Sequence, residues 1–413
     1  MTDLARYAAD HNLRHILFSF CDLFGVQRAK LVPAAAAAAM ASSGAGFAGF
    51  AAWMHMSPAD PDVLAIPDLA SLMVLPWQPT VAWVATDLVV GGTPLEQSPR
   101  RVLQRQLERA AAQGLHFRTG VEPEFFLLDP ERGVIADRHD QQTKPCYDQL
   151  ALMRQYPLIS ELLDGMETLG WGPYQADHED ANGQFEINWT FADALVTADR
   201  HAFFRVMAQS VAERYGRWVS FAPKPIAELT GNGAHLHCSL WDDQGRNLFH
   251  DGAGALGLSE LAYHFLGGLL AHAPALCALT NPVTASYRRL ARTNTASGSN
   301  WSPGWISYGG NNRTHMVRIP DDQRLELRLP DGAANPYLLQ AGALAAGLDG
   351  IARQLDPGPR SDADTDATPP SADQAARLPS SLAEARDAFR QDTILREALG
   401  AAFCTAYEAL QPA

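Results

Sequence analysis

The chain has 413 residues, 47% of them hydrophobic and 19% charged, which fits a soluble globular protein large enough for two cores. Its 46 acidic residues outnumber 32 basic ones, a formal net charge of −14. A surface that acidic repels nucleic acid and anionic membranes and argues against both as partners, although local arginines or metals can still admit an anionic substrate.

The first ninety-odd residues mix short apolar runs with Pro and Gly, and Ala34 to Ala39 reads as a surface helix without chemistry. The start, Met1-Thr2-Asp3, carries no basic-then-apolar signal. The five cysteines, Cys21, Cys146, Cys238, Cys277 and Cys404, are scattered, and none forms a CxxC pair. Free thiols in a reducing cytosol are therefore expected, and with them a cytoplasmic protein. Ser98-Pro99 opens a helix that Gly114 closes. The domain boundary is placed just before it, giving residues 1–95 and 96–413.

Strands are then expected at Val121 to Leu128, Gly183 to Trp189, Ala234 to Trp241 and Gln323 to Leu329. Phe191 to Tyr215 reads as one long helix closed by Gly216. Leu261 to Thr280 is apolar but carries His264, His272 and Pro274, so it reads as a buried helix rather than a membrane span. Asn335-Pro336 caps a helix running to about Gln354. Asp356 to Ser381, rich in Asp, Pro and Ser, reads as an exposed loop before a short helical C-terminus.

Residues two apart on a strand share a face. Glu122 and Glu124 share one, as do Gln184, Glu186 and Asn188, then His235, His237 and Ser239, then Arg324, Glu326 and Arg328. The opposite faces are apolar. Four amphipathic strands with solvated fronts would explain the alternation, but not why the fronts carry Glu, His and Arg instead of Lys, Thr and Ser. Clustered carboxylates need cations to coexist. Oxygen donors with one imidazole suit Mg²⁺ or Mn²⁺. Interleaved arginines suit carboxylate and phosphate groups. Together these describe a phosphoryl-transfer site. No GxxxxGK[ST] loop is present, so a nucleotide would be held another way.

In order along the chain stand VEPEF (121–125), HEDANGQFEIN (178–188), FAPKP (221–225), GNGAHLHCS (231–239), SYRRL (286–290), Asn312-Arg313 to Pro320, RLELRLPD (324–331) and Ala334-Asn335-Pro336-Tyr337. Taken together they resemble glutamine synthetases over nearly the whole chain. The resemblance implies an α+β fold, with an N-terminal β-grasp domain and a catalytic domain whose curved antiparallel sheet is flanked by helices. It implies a homo-oligomer, a dodecamer of two hexameric rings with active sites between subunits, acting on L-glutamate, ATP and a small amine. Two or three Mg²⁺ or Mn²⁺ ions per site are implied, one held by Glu124, Glu179 and Glu186 and a second by Glu122, His235 and Glu326.

By the same resemblance, Arg289 and Arg328 would grip the glutamate carboxylates, with Gly231 nearby. Arg313, Arg318 and Arg324 would neutralise phosphate charge, and Phe221, His237 and Ser239 would line the nucleotide site. Arg313, Glu179 and Arg328 would be the catalytic set. Arg313 and Arg318 have opposite strand parity, so a bend or bulge is expected between them. The family's adenylylated loop tyrosine has no counterpart, since no tyrosine occurs between Tyr337 and Tyr407.

Two departures bear on the amine. Ammonia-using members keep an aspartate in an F-D-G loop, where this chain reads Gly46-Phe47-Ala48-Gly49-Phe50. They keep a glutamate ahead of the arginine strand, where Trp301 stands, beyond an apparent insertion from Ala291 to Asn300. Residues 44–50 and 144–148 (Lys-Pro-Cys-Tyr-Asp) resemble the branch with γ-glutamylmethylamide synthetases and rhizobial-type third glutamine synthetases. Phe47, Tyr147 and Trp301 are thus candidate amine-pocket residues. An alkylamine is the preferred substrate, ammonia the alternative.

Overall fold

A computed structural model describes residues 4–291 and 295–409; of the apparent insertion, 292–294 lie outside the described residues. Two sheets organise the chain. The first contains β1 (His15–Cys21), β2 (Gln27–Pro33), β3 (Ala45–Phe47), β4 (Val63–Pro67) and β5 (Val81–Val90), in the order β2-β1-β5-β4-β3, with two short pieces added on β5. Its centre is mixed: β1 runs parallel to β5 while its other edge pairs antiparallel with β2. That explains the nearly continuous apolar run Val81–Ala85, since a central strand buries both faces.

Helix α1 (Pro99–Ala111) follows. Ser98 holds the capping position but makes no side-chain capping bond, so Pro99 and the buried face carry the start of the helix. Arg100 is buried and binds Asp199 through Nε and Nη2 at 3.1 and 3.0 Å, Asp68 at 2.6 Å and Asp87 at 2.5 Å. Asp68 and Asp87 belong to the first sheet region, so one guanidinium ties it to the rest of the chain.

The second sheet contains β6 (His116–Leu128), β7 (Pro173–His178), β8 (Gln184–Trp189), β9 (Ala234–Trp241), β10 (Val317–Asp321) and β11 (Arg324–Leu327). The order is β10-β11-β9-β6-β8-β7, and Tyr308–Gly309 extends the β10 edge. The apolar backs point into two cores. Leu236, Cys238, Leu240, Leu325 and Leu327 join one with the helix Pro336–Arg353, whereas Phe125, Phe185, Ile187 and Trp189 join the other.

Helix α2 is Ala194–Arg214, shorter than the expected Phe191–Tyr215, because Ala192–Asp193 pair with β6 before the helix begins. The expected single helix over Leu261 to Thr280 is two, α3 (Glu260–Ala271) and α4 (Ala273–Thr280), bent by 75°. Pro274 has no N–H to continue the ladder, and His272 at the corner is held by Asp349 at 2.9 Å and Asp392 at 2.5 Å. No single helix among the described residues is long and apolar enough to cross a membrane. After α5 (Thr284–Leu290) comes α6 (Pro336–Arg353), buried on nearly every side and capped by Asn335, whose side chain accepts from the Tyr337 and Leu338 N–H groups. Residues 356–381 form no helix or strand, and three short helices end the chain. All five cysteines are free.

Candidate active site

Strand register brings the chemical fronts together. His235 lies opposite Glu122, Glu186 opposite Glu124, and His237 opposite Glu326. Opposed side chains on one face sit within a few ångströms. His237 Nε2 is 2.8 Å from Glu122, and His235 Nδ1 is 3.5 Å from Glu122 and 3.7 Å from Glu326. Glu179 enters from the turn between β7 and β8, where its N–H donates to the Gln184 carbonyl. Gln184 in turn donates to Glu124 at 2.9 Å and to the Gly231 carbonyl at 3.1 Å. Gly233 permits the cluster to close. A Cβ there would stand 2.6 Å from His235 Nε2 and 2.8 Å from Glu124 Oε1.

Charge is unevenly distributed. Burial, then Glu124 and Asp177, push the Glu179 carboxyl up to about 8. Burial and then Glu122 push Glu186 well above the carboxylate range. For Glu326, burial would raise the pKa, but Arg328, His237 and His235 outweigh it and hold the carboxyl down to about 2. Burial and then Arg328 lower His235, leaving a neutral imidazole with a lone pair.

Three groups bring ligand atoms within 4.8 Å of one another: Asp177, Glu179 and Glu186; Glu122, Glu186 and His235; Glu122, His237 and Glu326. Oxygen-rich sets with at most one imidazole fit Mg²⁺ or Mn²⁺. Each overlaps an expected triad in two residues out of three. Asp177, which the motif reading passed over, joins because it pairs with Glu186 across β7 and β8; its spacing of two from Glu179 was the available signal. Glu124 is in none of the three groups, because its Oε2 accepts from Gln184 and from the Gly233 N–H at 2.8 Å. Its Oε1 faces His235 at 3.8 Å.

The arginines frame the acids. Arg318 and Arg328 bind opposite oxygens of Glu326 at 2.6 and 2.5 Å. Arg313 sits on a turn ahead of β10, so the expected bend does separate it from Arg318. Arg289 is buried and donates to the Leu329 carbonyl at 3.0 Å. Arg328 also donates to the Trp301 carbonyl at 3.3 Å, which brings Trp301 to the cluster in a left-handed conformation (φ +57°). Tyr147 (φ +64°) is exposed and donates its N–H to the His178 carbonyl, one residue from Glu179.

Beside the acids opens a cleft of about 330 Å³, lined in part by Glu122, His237, Ser239 and Arg324. Arg118, Phe191 and Trp241 complete one wall, a feature that motif reading missed because these residues lie on different elements. Phe191 stacks on Trp241, and the Arg118 guanidinium lies 4.5 Å over the indole. Phe221 is not among the residues lining this cleft; its ring packs against Phe125 and Phe204, which also touch each other. Phe47 stands on β3 in the other sheet, edge-on to Phe20, and Ala48 is exposed beside it.

Comparison with known proteins matches residues 96–413 to the glutamine synthetase catalytic domain. The chain is 54% identical over 406 residues to a glutamine synthetase of Rhizobium leguminosarum bv. phaseoli, covering 98% of this chain and 93% of the relative. It is 44% identical to a glutamate–methylamine ligase of Methyloversatilis universalis over 97% and 92% of the two chains. A solved GmaS–ADP complex superposes with a TM-score of 0.96 at 57% identity, covering 99% of this chain and 95% of that one.

Proposed function

This chain belongs to the glutamine synthetase family, and we propose that it joins a small alkylamine, methylamine first, to the γ-carboxylate of L-glutamate while ATP becomes ADP and phosphate. One observation carries the choice of amine. Where the family resemblance implies two acids in ammonia-using members, this chain has Ala48 and Trp301, and Trp301 reaches the cluster through Arg328. The likeness to a glutamate–methylamine ligase and to the GmaS complex supports it.

The chemistry must convert a poor electrophile into a good one. The γ-carboxylate of glutamate attacks the γ-phosphorus of ATP and forms γ-glutamyl phosphate; the neutral amine then adds to the activated carbonyl and phosphate leaves. Divalent cations held by the acid and histidine groups would neutralise the polyphosphate. Arg313, Arg318 and Arg324 balance the charge on the transferring phosphoryl group, and Arg289 and Arg328 orient glutamate. Glu179 is, by its motif position, the candidate to accept the amine's proton. The wall of Phe191 and Trp241, with the Arg118 guanidinium over the indole, would offer aromatic and cationic contacts to the purine.

Trp301 and the Phe47–Ala48 loop exchange charge recognition for apolar recognition, at about 0.8 kcal/mol per buried methyl-sized group. Since Phe47 and Ala48 lie in the first sheet, this reading places them against a neighbouring copy, in the dodecamer the resemblance implies.

The test is an amine panel with ATP, Mg²⁺ and glutamate, measuring phosphate and product mass. Higher kcat/KM for methylamine than for ammonia, after correction for free base, is expected. The reverse order would install ammonia, the reading favoured by the 54% identical relative.

A further inference from the structure

We propose that Asp180 is a positioning residue that fastens residues 295–301 over the reacting groups, using Ser297 and Thr230 as its partners. The proposal rests on the ligase reading for its chemical consequence, but its geometry stands apart. Asp180 is only 6% exposed. Its Oδ2 accepts from the Thr230 hydroxyl at 2.8 Å and from the Ser297 hydroxyl at 2.5 Å. Both hydroxyls are buried too.

Three pieces of the site meet there. The Asp180 N–H donates to Glu179 Oε2 at 3.2 Å, so its backbone steadies the acid next to it. Thr230 precedes Gly231, whose carbonyl holds the Gln184 amide, which holds Glu124. Ser297 belongs to the segment that ends at Trp301, the residue whose carbonyl receives Arg328. That segment has other ties: the Ala296 N–H donates to the Glu228 carbonyl at 2.9 Å, and Thr295 Oγ1 lies 3.1 Å from Ser297 Oγ.

A buried carboxylate makes a strong fastener because its hydrogen bonds are charge-assisted, and losing one partner leaves charge poorly satisfied. Such a fastener has a use in this chemistry. Water can attack γ-glutamyl phosphate at the carbonyl carbon; the carbon–oxygen bond to phosphate breaks, and glutamate and phosphate result. ATP is then consumed and no amide forms. Holding residues 295–301 in place keeps water out until the amine arrives.

The experiment uses the full chain with Ser297→Ala, Ser297→Thr and Asp180→Asn, the last keeping the backbone N–H. Phosphate and γ-glutamyl amide are counted separately with ATP, Mg²⁺, glutamate and methylamine, and hydrogen exchange is followed across 295–301. Wild type is expected to release one phosphate per amide. In Ser297→Ala and Asp180→Asn that ratio rises, and exchange across 295–301 quickens about tenfold, the low end for losing a hydrogen bond to a charged group. The two changes together add little beyond either, since both undo one junction. Ser297→Thr keeps the wild-type ratio. A Ser297→Ala enzyme whose ratio stays at the wild-type value overturns the proposal. Should the wild type make no amide with any amine, the ligase reading falls and exchange alone decides, unchanged protection in Ser297→Ala being the refuting result.

Discussion

Metal binding must release protons. Glu179 is pushed up to about 8 by burial and its acidic neighbours, and Glu186 is raised well above the carboxylate range by burial and then Glu122. At pH 7 a group at 8 is about nine-tenths protonated, so Glu179 is largely neutral in the metal-free protein. A cation needs its carboxyl ligands as anions, so filling the Asp177, Glu179 and Glu186 group releases about one proton per subunit from Glu179 at that pH, and the raised Glu186 adds to the release. Apparent affinity should then climb by about tenfold per pH unit for each proton released, flattening for Glu179 above pH 8.

The same carboxyls link pH to stability. The folded chain holds protons that the unfolded chain has lost, between the ordinary carboxyl range and about 8. Metal-free stability therefore falls as pH rises through that window, and added Mg²⁺ reverses the trend. Titration calorimetry with Mg²⁺ or Mn²⁺ in two buffers of different ionisation enthalpy counts the protons. Release below about 0.3 proton per subunit at pH 7 would show that these acids are already ionised, and the electrostatic picture of the site would be wrong.

Gly233→Ala should abolish turnover while leaving the fold intact, because the new Cβ would press on His235 and Glu124; near-normal kcat would remove Gly233 from the site. Arg100→Met should cost about 3–5 kcal/mol in denaturant melts by leaving Asp199 buried without its cation, and the loss should shrink in acid as that carboxyl protonates. His272, pulled up by Asp392 and Asp349 despite burial, stabilises the fold fully below its unfolded value near 6.5, and that support fades as pH rises through the higher folded value. His272→Gln should therefore hurt melting temperature more at pH 6 than at pH 9. Ala48→Asp with Trp301→Glu should move the methylamine-to-ammonia ratio of kcat/KM toward ammonia; an unchanged ratio would release both positions from amine choice.

Much of the site could be read from local chemistry. Period-two alternation placed Glu122, Glu124, Glu186, His235, His237 and Glu326 on strand fronts, because a pleated strand allows only two directions. Asn335 before Pro336 announced the 18-residue buried helix that follows, because capping is a matter of adjacent residues. Local signals fail where distant segments decide. Pro274 marks a break locally, but the 75° angle depends on His272 being fastened by Asp349 of α6 and by Asp392 near the C-terminus. The metal-ligating groups depend on register: Asp177 enters because β7 pairs with β8, and Glu124 turns toward Gln184 and Gly233. The Phe221 ring packs against Phe125 and Phe204, contacts that its motif does not announce. The sequence by itself determined which side chains could share a face and which chemistry they suit. Only the tertiary structure decided which faces meet, because pairing between strands far apart in the chain is set by packing of the whole.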